Sequence, residues 1–357
     1  MLDSNKQAFL SLTRLGVGVG ILNNPGRIDW DCIKSTATEQ GLSGVVLDGI
    51  DCLSEQERPR QEVLLQWIGE VLQDESLFSL QKDVAVDAAK LFYRNGIKMY
   101  VLKGMVVSEC YPKPNHRVST DIDCYLLPES SDFDAWSLGN DLIRSKGFKV
   151  NTDFYKNSSF EISGVLVENH QFLTPFRGNK RLKFFENVLQ SYLKSDKGLD
   201  IIKGTHLYRP PVMMTALFLV EHAYSHFLHE GLTWRHVLDW MMFSKKHHKE
   251  IFWSEFDSLI DESGFRRFYD SYMQLGRFLY GEIEEAELTK NDKRLMDDVW
   301  VPLDLHETDQ GLRGKLNLVG NTLRAWWKYH YFAEISMPHA LWIQAYGVLF
   351  DKNPKLN

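Results

Sequence analysis

The chain has 357 residues, 44% hydrophobic and 25% charged, with 41 Lys plus Arg against 48 Asp plus Glu and a formal net charge of −7. This composition excludes a disordered, collagen-like or low-complexity protein, and at roughly 100–200 residues per domain the length predicts two or three domains. The acidic balance disfavours a protein that coats nucleic acid, whose phosphates call for a basic surface.

The opening segment, MLDSNKQAFLSL, has an acidic residue at position 3 and no apolar signal core. Helical spacing follows in Leu2, Ala8, Phe9, Leu12 and Leu15, and Gly16, Gly18 and Gly20 end it. A second helix starts at Asp29 or Asp31, either of which can cap it, and stops at Gly41. Polar residues 54–61 read as a link to a third helix, whose apolar stripe is Leu64, Leu65, Trp67, Ile68, Val71 and Leu72.

The character changes after Asn95-Gly96, a helix C-cap signal. Residues 97–102 (IKMYVL) read as a buried strand, followed by Gly104 and a short helix over 105–111. A loop over 112–119 leads to a second strand, 121–127 (DIDCYLL). Ser131 or Asp132 then caps a helix that ends at Lys146-Gly147. Strands near 159–162 and 165–173 are joined by Ser163-Gly164, a two-residue hairpin signal. Beyond Pro210-Pro211 the pattern is helical over 213–229, 234–246 and 253–263. The aromatic-rich tail (Trp326, Trp327, Tyr329, Tyr331, Phe332, Trp342, Tyr346, Phe350) reads as helical core. The predicted class is α+β: a mixed sheet with helices, flanked by helical segments. Its predicted division is 1–90 helical, 91–205 α+β and 206–357 helical.

The longest apolar runs, such as 212–220, fall far short of the ~20 residues of a membrane span. Cys32, Cys52, Cys110 and Cys124 form no CxxC pair, which argues against a zinc ribbon or a disulfide framework and for a reducing, cytoplasmic compartment.

The sharpest chemical feature is Asp121-Ile122-Asp123. On a strand the two carboxylates share one face, roughly 6.5–7 Å apart at Cα, while Ile122 and Cys124 face the core. Hard oxygen ligands so placed suit Mg²⁺, which also takes phosphate oxygens, and the empty pair repels itself. Upstream, Gly104 lets backbone N–H groups approach a phosphate, and Lys103 and Arg117 offset phosphate charge. Glu168 shares a strand face with His170 and is the candidate third ligand or general base.

Among the other polar residues, His222, His226 and His229 share one helical face. They lack the glutamate of a HExxH zinc site, so they read as packing or site-lining groups. Arg235 and Asp239, at i and i+4, read as a helix-surface ion pair, and residues 245–249 (KKHHK) as a solvated helix end.

The run VLKGMVVSECYPKPNHRVSTDIDCYL resembles the signature of a nucleotidyltransferase family within the DNA polymerase beta-like superfamily. The carriers are Leu102-Lys103-Gly104, Tyr111-Pro112, Arg117 and Asp121-Ile122-Asp123. Looser matches are Glu168-Asn169-His170, where the family tends to show Asp-x-His, Glu221-His222-Ala223, and the segment from Trp234 through Arg235 to Asp239. Lys103-Gly104 replaces the superfamily's usual Gly-Ser, and Glu168 replaces an aspartate. The resemblance implies Mg²⁺-dependent transfer of an NMP from an NTP, such as ATP, to an acceptor hydroxyl of a small molecule or protein, with release of pyrophosphate. Asp121, Asp123 and Glu168 would be the catalytic and metal-binding residues, and Lys103, Gly104 and Arg117 would bind the nucleotide. The alternative is a catalytically silent module of the same fold that binds a partner.

Overall fold

The computed structural model describes residues 2–20, 28–130, 133–176, 179–195, 198–301, 325–333, 335–336 and 338–342. Four helices open the chain: α1 (Ser4–Gly16), α2 (Trp30–Glu39), α3 (Ser43–Asp51) and α4 (Gln61–Tyr93). Asp3 and Asp29 cap α1 and α2 by accepting the Lys6 and Cys32 N–H groups at 2.9 and 3.1 Å. Of the two capping candidates for α2, the chain uses Asp29.

Helix α3 has no counterpart among the predicted elements. It is buried nearly all round, so it shows no amphipathic stripe to read. Its contact with α1 is backbone to backbone. A Cβ on Gly16 would lie 1.9 Å from the Val45 carbonyl oxygen, and one on Gly49 2.0 Å from that of Leu12. Gly16 therefore belongs inside the helix pair, and the turn comes at Gly18, where φ is +75°.

Helix α4 serves two layers. Trp67 and Val71 pack on the N-terminal helices, whereas Val84, Ala85, Ala88, Ala89 and Phe92 cover one face of the sheet. The stripe predicted for its first turns is too wide. Leu65 and Leu72 are 60% and 54% exposed, because only the Trp67 side of the helix meets α1–α3.

The sheet has seven strands in the order β3-β4-β5-β2-β1-β7-β6. They are β1 (Ile97–Val101), β2 (Asp121–Pro128), β3 (Val150–Asn151), β4 (Asn157–Ile162), β5 (Val165–His170), β6 (Leu199–Asp200) and β7 (Leu207–Arg209). Strand β2 lies central, antiparallel to β1 (Val101 opposite Cys124) and parallel to β5 (Asp123 opposite Glu168). Ser163 and Gly164, with φ +54° and +82°, close the β4–β5 hairpin as a two-residue turn of the type I′ family. The three short strands β3, β6 and β7 show too little alternation to predict.

One sheet face, with Val101, Ile122, Cys124 and Val167, packs under α4 and α6 (Ala135–Ser145). The caps predicted for α6, Ser131 and Asp132, lie outside the described residues; Asp134 caps it by accepting the Ser137 N–H at 3.0 Å. On the other face, Tyr100, Leu102 and Tyr125 join one continuous core with the later helices. Those include α7 (Lys180–Ser195), α8 (Val212–His229), α9 (Trp234–Lys246), α10 (Trp253–Ser263), α11 (Arg266–Leu279) and α12 (Lys290–Val299). In the tail, Tyr329 and Phe332 are buried against α8, but Trp342 is 57% exposed, so the aromatic stretch is core only in part. Tyr346 and Phe350 lie outside the described residues. Among the described residues, no helix is long and apolar enough to cross a membrane. The fold is α+β, a mixed sheet covered by helices.

Candidate metal and anion site

Strand alternation builds the acidic site. Ile122 and Cys124 enter the core beneath α4 and α6, which turns Asp121 and Asp123 to the α8 face. Because β2 and β5 run parallel in register, Asp123 sits beside Glu168 and Tyr125 beside His170. The ligand-type atoms of Asp123, Glu168 and His170 all lie within 4.8 Å of one another. Asp121 stands apart from that trio and lines an adjoining cavity.

Asp123 is 4% exposed. Its Oδ1 accepts from His170 Nε2 at 2.9 Å, and its Oδ2 lies 3.0 Å from the Lys103 ammonium. The contact is ionic first and only loosely aligned as a hydrogen bond. Burial works against the Asp123 charge, but Lys103 and His170 outweigh it and hold the carboxyl well below the usual range. The same pairing outweighs burial at Lys103 and raises its pKa. Burial and the charge of Asp123 push Asp121 and Glu168 upward instead. The repulsion expected of an empty acidic pair is thus relieved at Asp123 and concentrated on its two neighbours.

Glu168 accepts from Asn157 Nδ2 at 2.6 Å through Oε2, which also lies 3.7 Å from His170 Nε2. His170 and Asn157 complete the acidic site and were not among the predicted site residues. For His170 the signal was there, since it shares the strand face of Glu168. For Asn157 no signal exists before the β4–β5 register is known.

Gly104 has φ +58°, and a Cβ there would touch only Ser119 Oγ at 3.4 Å. It precedes α5 (Met105–Ser108), four residues long and shorter than predicted. Beyond it the chain turns so that the Tyr111 hydroxyl donates to Asp239 at 2.7 Å. Arg117 is buried with its fork closed on the same carboxylate, Nε at 3.1 Å and Nη2 at 2.6 Å. The predicted surface pair between Arg235 and Asp239 is therefore not formed. Asp239 points inward to Arg117 and Tyr111, and Arg235 donates Nη1 to the Val118 carbonyl at 2.7 Å.

These residues enclose a cavity of about 210 Å³ between the end of β1, the start of β2, and helices α8 and α9. His222 and His226 line it, with His222 Nε2 3.1 Å from Lys103 Nζ. His229 turns away toward Tyr329. The run from Lys245 to Lys249 ends α9 largely in solvent, with Lys245 paired to Glu282 at 2.8 Å.

An acidic strand pair beside a glycine turn, on a mixed sheet under helices, defines a nucleotidyltransferase-like fold. The chain belongs to a family described as uncharacterised nucleotidyltransferases, whose model matches residues 26–281, well over half its length. No curated protein and no solved structure matches it.

Proposed function

We propose that the protein is a Mg²⁺-dependent nucleotidyltransferase that moves an NMP group from an NTP, such as ATP, to an acceptor hydroxyl. The acceptor oxygen bonds to the α-phosphorus, the α–β phosphoanhydride breaks, and pyrophosphate leaves. One observation carries the reading: ligand-type atoms of Asp123, Glu168 and His170 gather within 4.8 Å of one another on two adjacent strands. Burial and the charge of Asp123 disfavour ionisation of Asp121 and Glu168, a cost that a divalent cation relieves, and the carboxylate oxygens suit Mg²⁺.

Asp121, Asp123 and Glu168 would hold one or two ions, which when bound neutralise triphosphate charge and ease deprotonation of the acceptor. Lys103 sets positive charge beside the phosphates. Gly104, with no side chain and positive φ, leaves its backbone open to them. Arg117 adds its field and, through Asp239, fixes the loop that delivers Asp121. Glu168, its pKa raised by burial and by Asp123, can take the acceptor's proton on Oε1. In this reading residues 91–205 are the catalytic unit, and the helices of 206–357 supply the acceptor cleft.

The Lys103–Asp123 contact favours a second reading, a silent module in which the ammonium stands in for metal. Incubation with each α-labelled NTP, Mg²⁺ and cell extract decides between them. A labelled product that disappears in Asp121→Asn supports the enzyme. No labelled product, together with no thermal stabilisation by millimolar Mg²⁺ and NTP, supports the silent module, because a ligand at 100 Kd adds about 2.7 kcal/mol.

A further inference from the structure

Among the described residues, ion pairing around the 210 Å³ cavity leaves two charged groups outside any pair. The Asp239 carboxylate is taken by Arg117 and Tyr111, that of Asp123 by Lys103 and His170, and that of Glu230 by His226 Nδ1 at 2.9 Å. Arg235 and Asp121 are left over, each within reach of the other's field but joined by no ion pair. The one hydrogen bond of Arg235 is Nη1 to the Val118 carbonyl, its Nε is buried without a partner, and among the described residues no carboxylate pairs with it. Its stem lies against Gly41, where a Cβ would come within 3.2 Å of Cδ and Nε, so the guanidinium is held in place. A guanidinium does not shed its proton in a protein, and a buried charge without a partner is costly. Burial, with Arg117 nearby, disfavours the Arg235 cation, and the charges of Asp239 and Asp121 offset this only in part.

The neighbouring imidazoles sharpen the chemistry. Atoms of His222, His226 and His236 lie within 4.8 Å of one another, a spacing that would suit a metal. Their hydrogen bonds speak against one. His236 Nδ1 accepts the Thr233 N–H at 3.2 Å, which leaves the proton of the neutral ring on Nε2. His222 Nε2 faces the Lys103 ammonium. The cavity therefore offers donors: the free arm of Arg235, the His236 Nε2 proton and Lys103. Its volume is below the roughly 300 Å³ at which pockets begin to take a whole drug-sized ligand. A phosphate-sized group fits that limit.

We propose that this cavity is an anion site for a phosphate-sized group, with Arg235 as its principal ligand, the group belonging either to the nucleotide or to a second, anionic substrate. Its place in nucleotidyl transfer rests on the function proposed above; the anion site itself does not.

Inorganic pyrophosphate, titrated calorimetrically into the full chain in chelator-treated buffer, tests it without turnover. Wild type should bind it, and Arg235→Gln should weaken binding about tenfold or more, the loss of a charged hydrogen bond. Arg235→Lys, which keeps the charge but not the fork, should fall between. Asp121→Asn should tighten metal-free binding by removing a negative charge from the cavity wall, a readout that does not depend on the Arg235 variants folding. Competition with NTP assigns the group to the nucleotide, and simultaneous binding assigns it to a second substrate. The proposal is overturned if millimolar pyrophosphate gives no heat, or if both Arg235 variants bind as wild type. Labelled transfer with Arg235-independent pyrophosphate binding would sink this site alone. Arg235-dependent binding without any labelled transfer would sink the enzyme reading alone.

Discussion

Asp121 and Asp123 lie two residues apart on one strand, yet their surroundings push them in opposite directions. Asp123 is held ionised by Lys103 and His170, so its stabilising contribution is present above about pH 4, the unfolded value, and is lost on acidification below it. Asp123→Asn should therefore cost about 3 kcal/mol in metal-free buffer, the low end of what removing one partner of a buried ion pair costs. Asp121→Asn should leave the metal-free protein as stable as wild type or more so, because burial and Asp123 disfavour its charge. Both variants should lose Mg²⁺-dependent stabilisation. Urea unfolding with and without Mg²⁺ checks the pair, and equal stabilities of the two metal-free variants would refute the asymmetry. The Asp-x-Asp spacing was legible because strand alternation is local. The asymmetry was not, since Lys103 and His170 approach Asp123 from two other segments.

At the scale of elements, the loop before β2 is pinned by a bridging imidazole. His116 Nδ1 meets Asp48 Oδ2 on α3 at 2.8 Å, and Nε2 meets Glu75 Oε1 on α4 at 2.9 Å. With a carboxylate on each nitrogen, the ring serves both as imidazolium. Burial opposes the cation, but Asp48 and Glu75 outweigh burial and raise its pKa. A raised histidine pKa gives stability that is fully present below about pH 6.5 and is lost as pH rises through the folded value. His116→Gln should cost about 1–3 kcal/mol at pH 6, as for hydrogen bonds to charged groups, and much less at pH 9. Denaturant titrations of both proteins at the two pH values measure this; a gap independent of pH would mean the ring packs without bridging charge. The prolines of this loop announced an irregular connection, but nothing in its sequence tied His116 to α3, a helix without an amphipathic stripe.

Across the whole molecule, the buried Arg117–Asp239 pair joins the approach to the sheet's central strand to helix α9, 122 residues further along the chain. Asp239→Ala should destabilise by about 3–5 kcal/mol, because it strands a buried guanidinium, whereas Arg117→Met combined with Asp239→Leu should recover much of the loss. Thermal unfolding of the single and double variants tests this, and an additive double variant would show that the two residues act independently. Periodicity and turn chemistry are short-range, so the sequence alone determined the α+β class, strands β1 and β2, the Ser163-Gly164 hairpin and helices α8, α9 and α10, but not α11 and α12. It also put the acidic pair on one strand face, since a period of two needs no partner strand. Only the tertiary structure decided which charges meet. It turned Asp239 from Arg235 to Arg117, set Glu168 and His170 beside Asp123 through the β2–β5 register, and left Arg235 outside any ion pair, because partners that far apart in the chain are chosen by packing.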